Sequence, residues 1–147
     1  MFDNRDGVMI GRLFINDKDA WATWGVTLRK GSYDALDLGA PQKESAKNSS
    51  SSQHGAQFFG NKAKVDERQV TLLFYIDAST KRELHDRKVA FEEELRSGLS
   101  LFRIPEQFTI YKLRLNDFTA FKSFNQRTKA YISARFTEPN PKDRIAL

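Results

Sequence analysis

Two histidines, an acidic triplet, a glycine-bounded stretch and a cluster of aromatic and basic residues are the places where this chain could do chemistry. His54 and His85 are its only histidines. A metal site or a catalytic base needs a second ligand or an orienting carboxylate close by. His54 lies beside Gly55 in a long polar stretch, and His85-Asp86 on a helix would send its two side chains in different directions. Both histidines therefore read as solvated surface residues. Glu92-Glu93-Glu94 is acidic enough for a hard cation, but three consecutive helical residues fan over about 200° and cannot converge. Gly55-Ala56-Gln57-Phe58-Phe59-Gly60 has the glycines of a phosphate cradle without its lysine or its strand–helix setting.

The last candidate is Phe118, Phe121, Lys122, Phe124, Arg127 and Lys129. Aromatics on adjacent strands with flanking cations are how single-stranded nucleic acid is held. The competing reading places these phenylalanines in the core and the cations on the wet face, and the alternation favours it for most of them. The chain has no cysteine, which excludes disulfide frameworks, thiolate zinc sites, iron–sulfur clusters and cysteine nucleophiles together. No nucleophile–base pair or ligand cluster emerges. The residues point to a binding or assembly part rather than an enzyme, with no cofactor and no metal.

These residues must be carried by a fold that 147 residues, 39% of them hydrophobic and 29% charged, can build as one domain with a sizeable core. Twelve Phe, four Tyr and two Trp supply large side chains that suit strands. The net charge of +5 is mildly anion-seeking and weaker than a dedicated nucleic-acid binder shows. No apolar run approaches a membrane span, and the N-terminus, with Asp3 and Asp6, lacks a signal-peptide apolar region. The expected compartment is the cytoplasm of the cell that makes the chain.

Residues 8–15 and 21–29 read as strands separated by the turn signal Asn16-Asp17-Lys18-Asp19. In the second, Trp24, Val26 and Leu28 share a face. Lys30-Gly31-Ser32 breaks that strand, and residues 33–38 fit a short helix or an irregular segment. Residues 69–76 alternate Val70, Leu72, Phe74 and Ile76 with Thr71, Leu73 and Tyr75. Both faces are largely apolar, which predicts a central strand covered on both sides. Thr80-Lys81-Arg82-Glu83 is a capping box opening a helix over about 80–97, with Gly98 just past its end. Leu84, Phe91 and Leu95 form the stripe by which this helix docks. Strands are expected at 99–104, 108–115, 118–124 and 127–137, with turns at Pro105-Glu106, Asn116-Asp117 and Asn125-Gln126. In the last strand, Lys129, Tyr131, Ser133 and Arg135 face water. Residues 138–147, with two prolines, read as a tail or connector that leaves the sheet.

The result is a mainly β chain of α+β character: an antiparallel β-sandwich or small barrel over 1–137, about seven strands and one flanking helix. It is interrupted by a polar insertion at 39–64. That insertion is too long for a plain connection in a compact domain. Its serine run, 49–52, cannot offset its own ordering entropy. Phe58 and Phe59 near its far end could anchor it on its own domain or on a neighbour.

The order of these parts resembles a known family. Asn16-Asp17-Lys18-Asp19-Ala20-Trp21 is followed by Trp24-Gly25-Val26. Next come Pro41-Gln42-Lys43-Glu44, a serine-rich segment with His54-Gly55, and Val65-Asp66-Glu67-Arg68-Gln69-Val70-Thr71-Leu72. The series closes with Phe136-Thr137-Glu138-Pro139-Asn140-Pro141. This pattern resembles small tail proteins of bacteriophages and prophages of gut Bacteroidetes, which are similar to the N-terminal domain of siphophage distal tail proteins and to the tail-tube fold. The resemblance implies a β-domain with one helix that assembles into a ring, commonly hexameric, around the DNA channel of a virion. The insertion would then reach a neighbouring subunit through Lys43, Glu44, His54, Phe58 and Phe59. Its partners would be further copies, other tail proteins and, in passing, channel DNA, with Lys129 and Arg135 among basic residues on outer or interface faces. The alternative left open is a nucleic-acid-binding β-barrel.

Overall fold

Strand β4 (Arg68–Asp77) organises the sheet, in a computed structural model that describes residues 9–39 and 67–147. Its alternation buries Val70, Leu72, Phe74 and Ile76, as the sequence pattern demands. Among the described residues no element covers the opposite side as α3 (Lys81–Arg96) covers this one. Thr71 is exposed, Leu73 is 37% exposed and Tyr75 is half-buried. The expectation of cover on both faces is corrected: helix α3 packs on one face only, and the apolar residues on the other are an exposed Leu and an amphipathic Tyr.

The chain order is β1 (Phe14–Ile15), β2 (Lys18–Asp19), α1 (Ala20–Trp24), β3 (Val26–Leu28), α2 (Lys30–Asp37), β4, α3 (Lys81–Arg96), β5 (Leu99–Ile104), β6 (Thr109–Phe124), β7 (Lys129–Glu138) and β8 (Ile145–Ala146). The strands form one antiparallel sheet of eight, in the order β2-β1-β5-β6-β7-β4-β3, with β8 paired to β6. The fold is thus mainly β with α+β character and a flanking helix. The sheet is open and strongly curled. β5 and β4 stand three strands apart, about 14 Å in a flat sheet, yet the rings of Phe74 and Phe102 are 6.4 Å apart. Phe136 lies 5.5 Å from Phe102 and 6.2 Å from Phe74. The curl wraps these rings, and α3 closes the open side through Leu84, Phe91 and Leu95, at most 3% exposed. Phe91 meets Phe74 edge-on at 5.0 Å and Trp24 at 5.7 Å.

Helix α3 begins as its capping box requires: Thr80 Oγ1 accepts from the Glu83 N–H at 3.0 Å. Glu83 reaches back one residue further than expected, to the Ser79 N–H at 2.6 Å.

Several local readings are corrected. Residues 21–29 are not one strand. Asp19 caps α1 by accepting from the Ala22 N–H, and Gly25 ends it in the left-handed conformation at φ 67°, leaving only Val26–Leu28 extended. The other face of that segment is therefore partly helix, not strand. Of the expected strand at 8–15, Val8 lies outside the described residues, and among 9–15 only Phe14–Ile15 is strand. Asn16 and Asp17, at φ 53° and 68°, make the tight turn to β2. Lys30-Gly31-Ser32 does end the strand, and it also opens α2, where Ser32 Oγ accepts from the Leu73 N–H at 2.8 Å.

The expected turn at Asn116-Asp117 lies inside one sixteen-residue strand. The register with β7 slips between Leu115 and Asp117 and again between Phe118 and Ala120, so Asn116 and Thr119 are bulges. The polar residues that suggested a turn stitch the sheet instead. Asp117 grips Arg135 with both oxygens at 2.9 and 2.8 Å, and Asn116 bonds Gln69 and Thr137. The β6–β7 turn takes four residues, 125–128, not two. After Glu138 the chain returns to the sheet, where Ile145 pairs with Ile110 and Ala146 with Thr109.

Candidate interaction surfaces

The outer face of β4, β6 and β7 carries an aromatic cluster. The strands' alternation places Tyr75, Phe124 and Tyr131 there, away from the core. Phe124 stacks on Tyr131 at 5.2 Å, and Tyr75 lies 5.7 Å from Tyr131 and 6.3 Å from Phe124. Arg29, between β3 and α2, sits 5.0 Å over the Tyr131 ring and donates to its hydroxyl at 3.3 Å. Asp77 accepts from the Tyr75 hydroxyl at 3.0 Å and pairs with Lys129 at 2.8 Å. A cavity of about 1100 Å³ opens beside the cluster and extends to Arg12, Tyr33 and Gln107. Burial pushes the Tyr33 hydroxyl above the ordinary tyrosine range. Four basic and four acidic side chains line this cavity. It is electrically balanced and does not present the one-signed field that gathers a polyanion.

A second surface is the edge of β6. β5 covers this strand only as far as Arg114, which pairs with Leu99. From Leu115 to Phe124 its one strand neighbour among the described residues is β7. Thr119, Ala120, Phe121 and Lys122 are exposed along this stretch. On the inner side, Lys88 of α3 lies 5.2 Å over the Phe121 ring and Arg96 lies 5.2 Å over Phe118. Two cations eight residues apart on α3 thus bracket two phenylalanines of the uncovered strand.

A third arrangement is buried. Glu138, 1% exposed, accepts from Arg68 Nε at 2.9 Å and from Arg144 Nε and Nη2 at 2.7 and 2.9 Å. Tyr111 lies beneath both guanidiniums, and burial raises its hydroxyl pKa.

The residues singled out from the sequence are distributed as follows. Leu84, Phe91 and Leu95 are core residues at the α3 contact. Lys43, Glu44, His54, Phe58 and Phe59 lie outside the described residues. His85 is exposed. Glu92 pairs with Lys88 and Arg96, whereas Glu94 turns to Lys18 and Asn16, so the acidic triplet diverges. No group of three or more metal-ligating side chains exists among the described residues. The suggested nucleic-acid set is split between two faces: Phe118 and Phe121 register with the buried Ala134 and Ile132, while Lys122 and Phe124 register with the outward Tyr131 and Lys129. The curl and the Thr119 bulge separate what sequence proximity put together. Neither the Arg68–Glu138–Arg144 network nor the Asp117–Arg135 pair was foreseen. Their only sequence signal is a charge in a strand otherwise patterned for burial, such as Glu138 directly after Phe136-Thr137.

No protein-family model, curated protein or solved structure matches this chain.

Proposed function

We propose that this chain is a structural component of a bacteriophage tail, a distal tail or tube-like protein that assembles with copies of itself into a ring around the DNA channel. The observation that carries this reading is the uncovered edge of β6. Ten residues of strand, from Leu115 to Phe124, have one strand neighbour among the described residues and carry exposed phenylalanines. Two bulges and Lys122 partly blunt this edge, but its backbone groups still lie beside exposed phenylalanines, a combination that recruits another chain. The β-rich fold with one docked helix, the 40–66 stretch and the resemblance in segment order agree with an assembling part. Its partners are then other copies and neighbouring tail proteins, its place the virion, and its contact with DNA transient.

The alternative is single-stranded nucleic acid held on the aromatic strands. It has the Tyr75–Phe124–Tyr131 cluster in its favour. Against it stand the balanced charge of the adjoining cavity and the separation of the aromatic residues onto two faces.

Electron microscopy and sedimentation of the purified chain test the proposal. Rings are expected from the wild type. Phe121→Lys, which sets a charge on the β6 edge beside Lys88, should give folded monomers. So should deletion of residues 43–60. Rings of normal size from both variants would overturn the assigned surfaces. A wild-type monomer that binds single-stranded DNA with an affinity falling steeply in salt would replace the proposal with the alternative.

A further inference from the structure

We infer that the cavity beside the aromatic cluster is a binding site for a neutral, polyhydroxylated ligand, a short chain of uncharged sugar units. Its volume of about 1100 Å³ lies at the upper end of small-ligand pockets and gives room for several sugar rings. A sugar ring has a face of C–H groups and a rim of hydroxyls. The C–H face packs on the electron-rich face of an aromatic ring, and each hydroxyl both donates and accepts hydrogen bonds. A site for such a ligand needs flat aromatic surface with donors and acceptors side by side around it.

This cavity has both. Phe124 stacks on Tyr131 yet remains 37% exposed, so part of its ring is open to the cavity it lines. Tyr131 is held in place by the Arg29 guanidinium over its ring, which makes the platform rigid before any ligand arrives. Trp21, half-buried in α1, supplies a further aromatic ring to the same lining. Most of the charges around these rings stand in pairs. Asp77 meets Lys129 at 2.8 Å, Glu106 meets Arg12 at 3.1 Å and Asp34 meets Lys30 at 3.2 Å. Each pair sets a carboxylate acceptor beside an N–H donor and leaves no net charge. Two other ligand classes fit such a lining poorly. A polyanion or polycation meets no field of one sign. An apolar ligand would strip water from the ion pairs without replacing its hydrogen bonds. A neutral polyol replaces them. The inference does not rest on ring assembly.

An array of neutral, uronic-acid and sulfated oligosaccharides, probed with the full-length chain, tests it, followed by calorimetric titration of the neutral member that binds best. Binding to a neutral member is expected, with an affinity that added salt does not weaken, since the ligand carries no charge to screen. The monosaccharide of that member fills only part of the cavity and should bind far more weakly. Phe124→Ala should weaken the oligosaccharide about tenfold. Trp21→Ala should weaken it as well and substitutes for the first variant if that one fails to fold. Phe121→Ala, on the β6 edge and outside the cavity lining, should bind as the wild type does, whether or not it forms rings. Absence of binding to every neutral member would overturn the assignment, as would binding confined to the anionic ones. Wild-type affinity in the folded cavity variants, or a monosaccharide that binds as tightly as the chain, would overturn it too.

Discussion

Phe91 shows how much a single side chain carries in this fold. Its ring is fully buried between Phe74 and Trp24. Phe91→Ala should cost about 3–5 kcal/mol of unfolding free energy, measured by urea titration. Lys88→Ala, one turn away, removes a partly exposed pair with Glu92 and a contact with Phe121, and should cost less than about 1 kcal/mol. Equal losses in the two variants would mean that the helix is not packed through Phe91. Gly25 is constrained from two directions. Its φ of 67° is one that residues with a Cβ adopt reluctantly, and an added Cβ would overlap Arg87 Nη1 and the Asp77 carbonyl oxygen. Gly25→Ala should therefore destabilise by more than about 1 kcal/mol in the same assay. Glu94 makes a residue-scale prediction about acid. Bonds from Lys18, then Asn16, hold its carboxyl below the usual carboxylate range. Its contribution is complete above the unfolded pKa, about 4.3, and is lost as the pH falls through the lower folded value. Glu94→Gln should accordingly narrow the drop in Tm between pH 5 and pH 3. An unchanged drop would remove Glu94 from the acid response.

Elements differ in how openly the sequence declares them. Helix α3 and strands β5 and β7 were legible almost to the residue, because a capping box, a terminal Gly and clean alternation all said the same thing. The docking stripe was legible for the same reason. Helix α1 was not, although its signals were present: Asp19 as N-cap and Gly25 as terminator flank only five residues, and the aromatic, β-prone stretch outweighed them. The middle of β6 misled in the opposite sense. Asn116 and Asp117 are turn formers by type, but their partners Gln69, Thr137 and Arg135 come from strands distant in sequence, so nothing local could reveal them. The candidate edge was hidden by the same error, since two short strands leave no long unpaired flank. The N-cap itself can be tested at this scale: Thr80→Ala should cost about 1 kcal/mol, and thermal melts that match the wild type would show that the cap bond is dispensable.

For the molecule as a whole, charge and chain order set the expectations. A net charge of +5 with balanced lining in the aromatic cavity predicts weak DNA binding that weakens further with salt and does not discriminate between sequences. Fluorescence anisotropy with two unrelated duplexes checks this. Sub-micromolar affinity that prefers one sequence at physiological salt would overturn the tail reading. Chain order has a further effect through the turn between β6 and β7. Asn125, Gln126 and Arg127 all hold left-handed backbone, at φ 54°, 59° and 63°, without a glycine among them. This hairpin, like β5–β6, pairs strands that are neighbours in the chain, whereas β4 must find β7 across separations of up to 70 residues. Folding speed therefore depends on how readily three reluctant residues adopt the bend. If the hairpin is the nucleus, Gln126→Gly should steepen the refolding rate in stopped-flow while leaving the unfolding arm of the chevron in place. The tip of one hairpin then acts as the timer for the whole sheet.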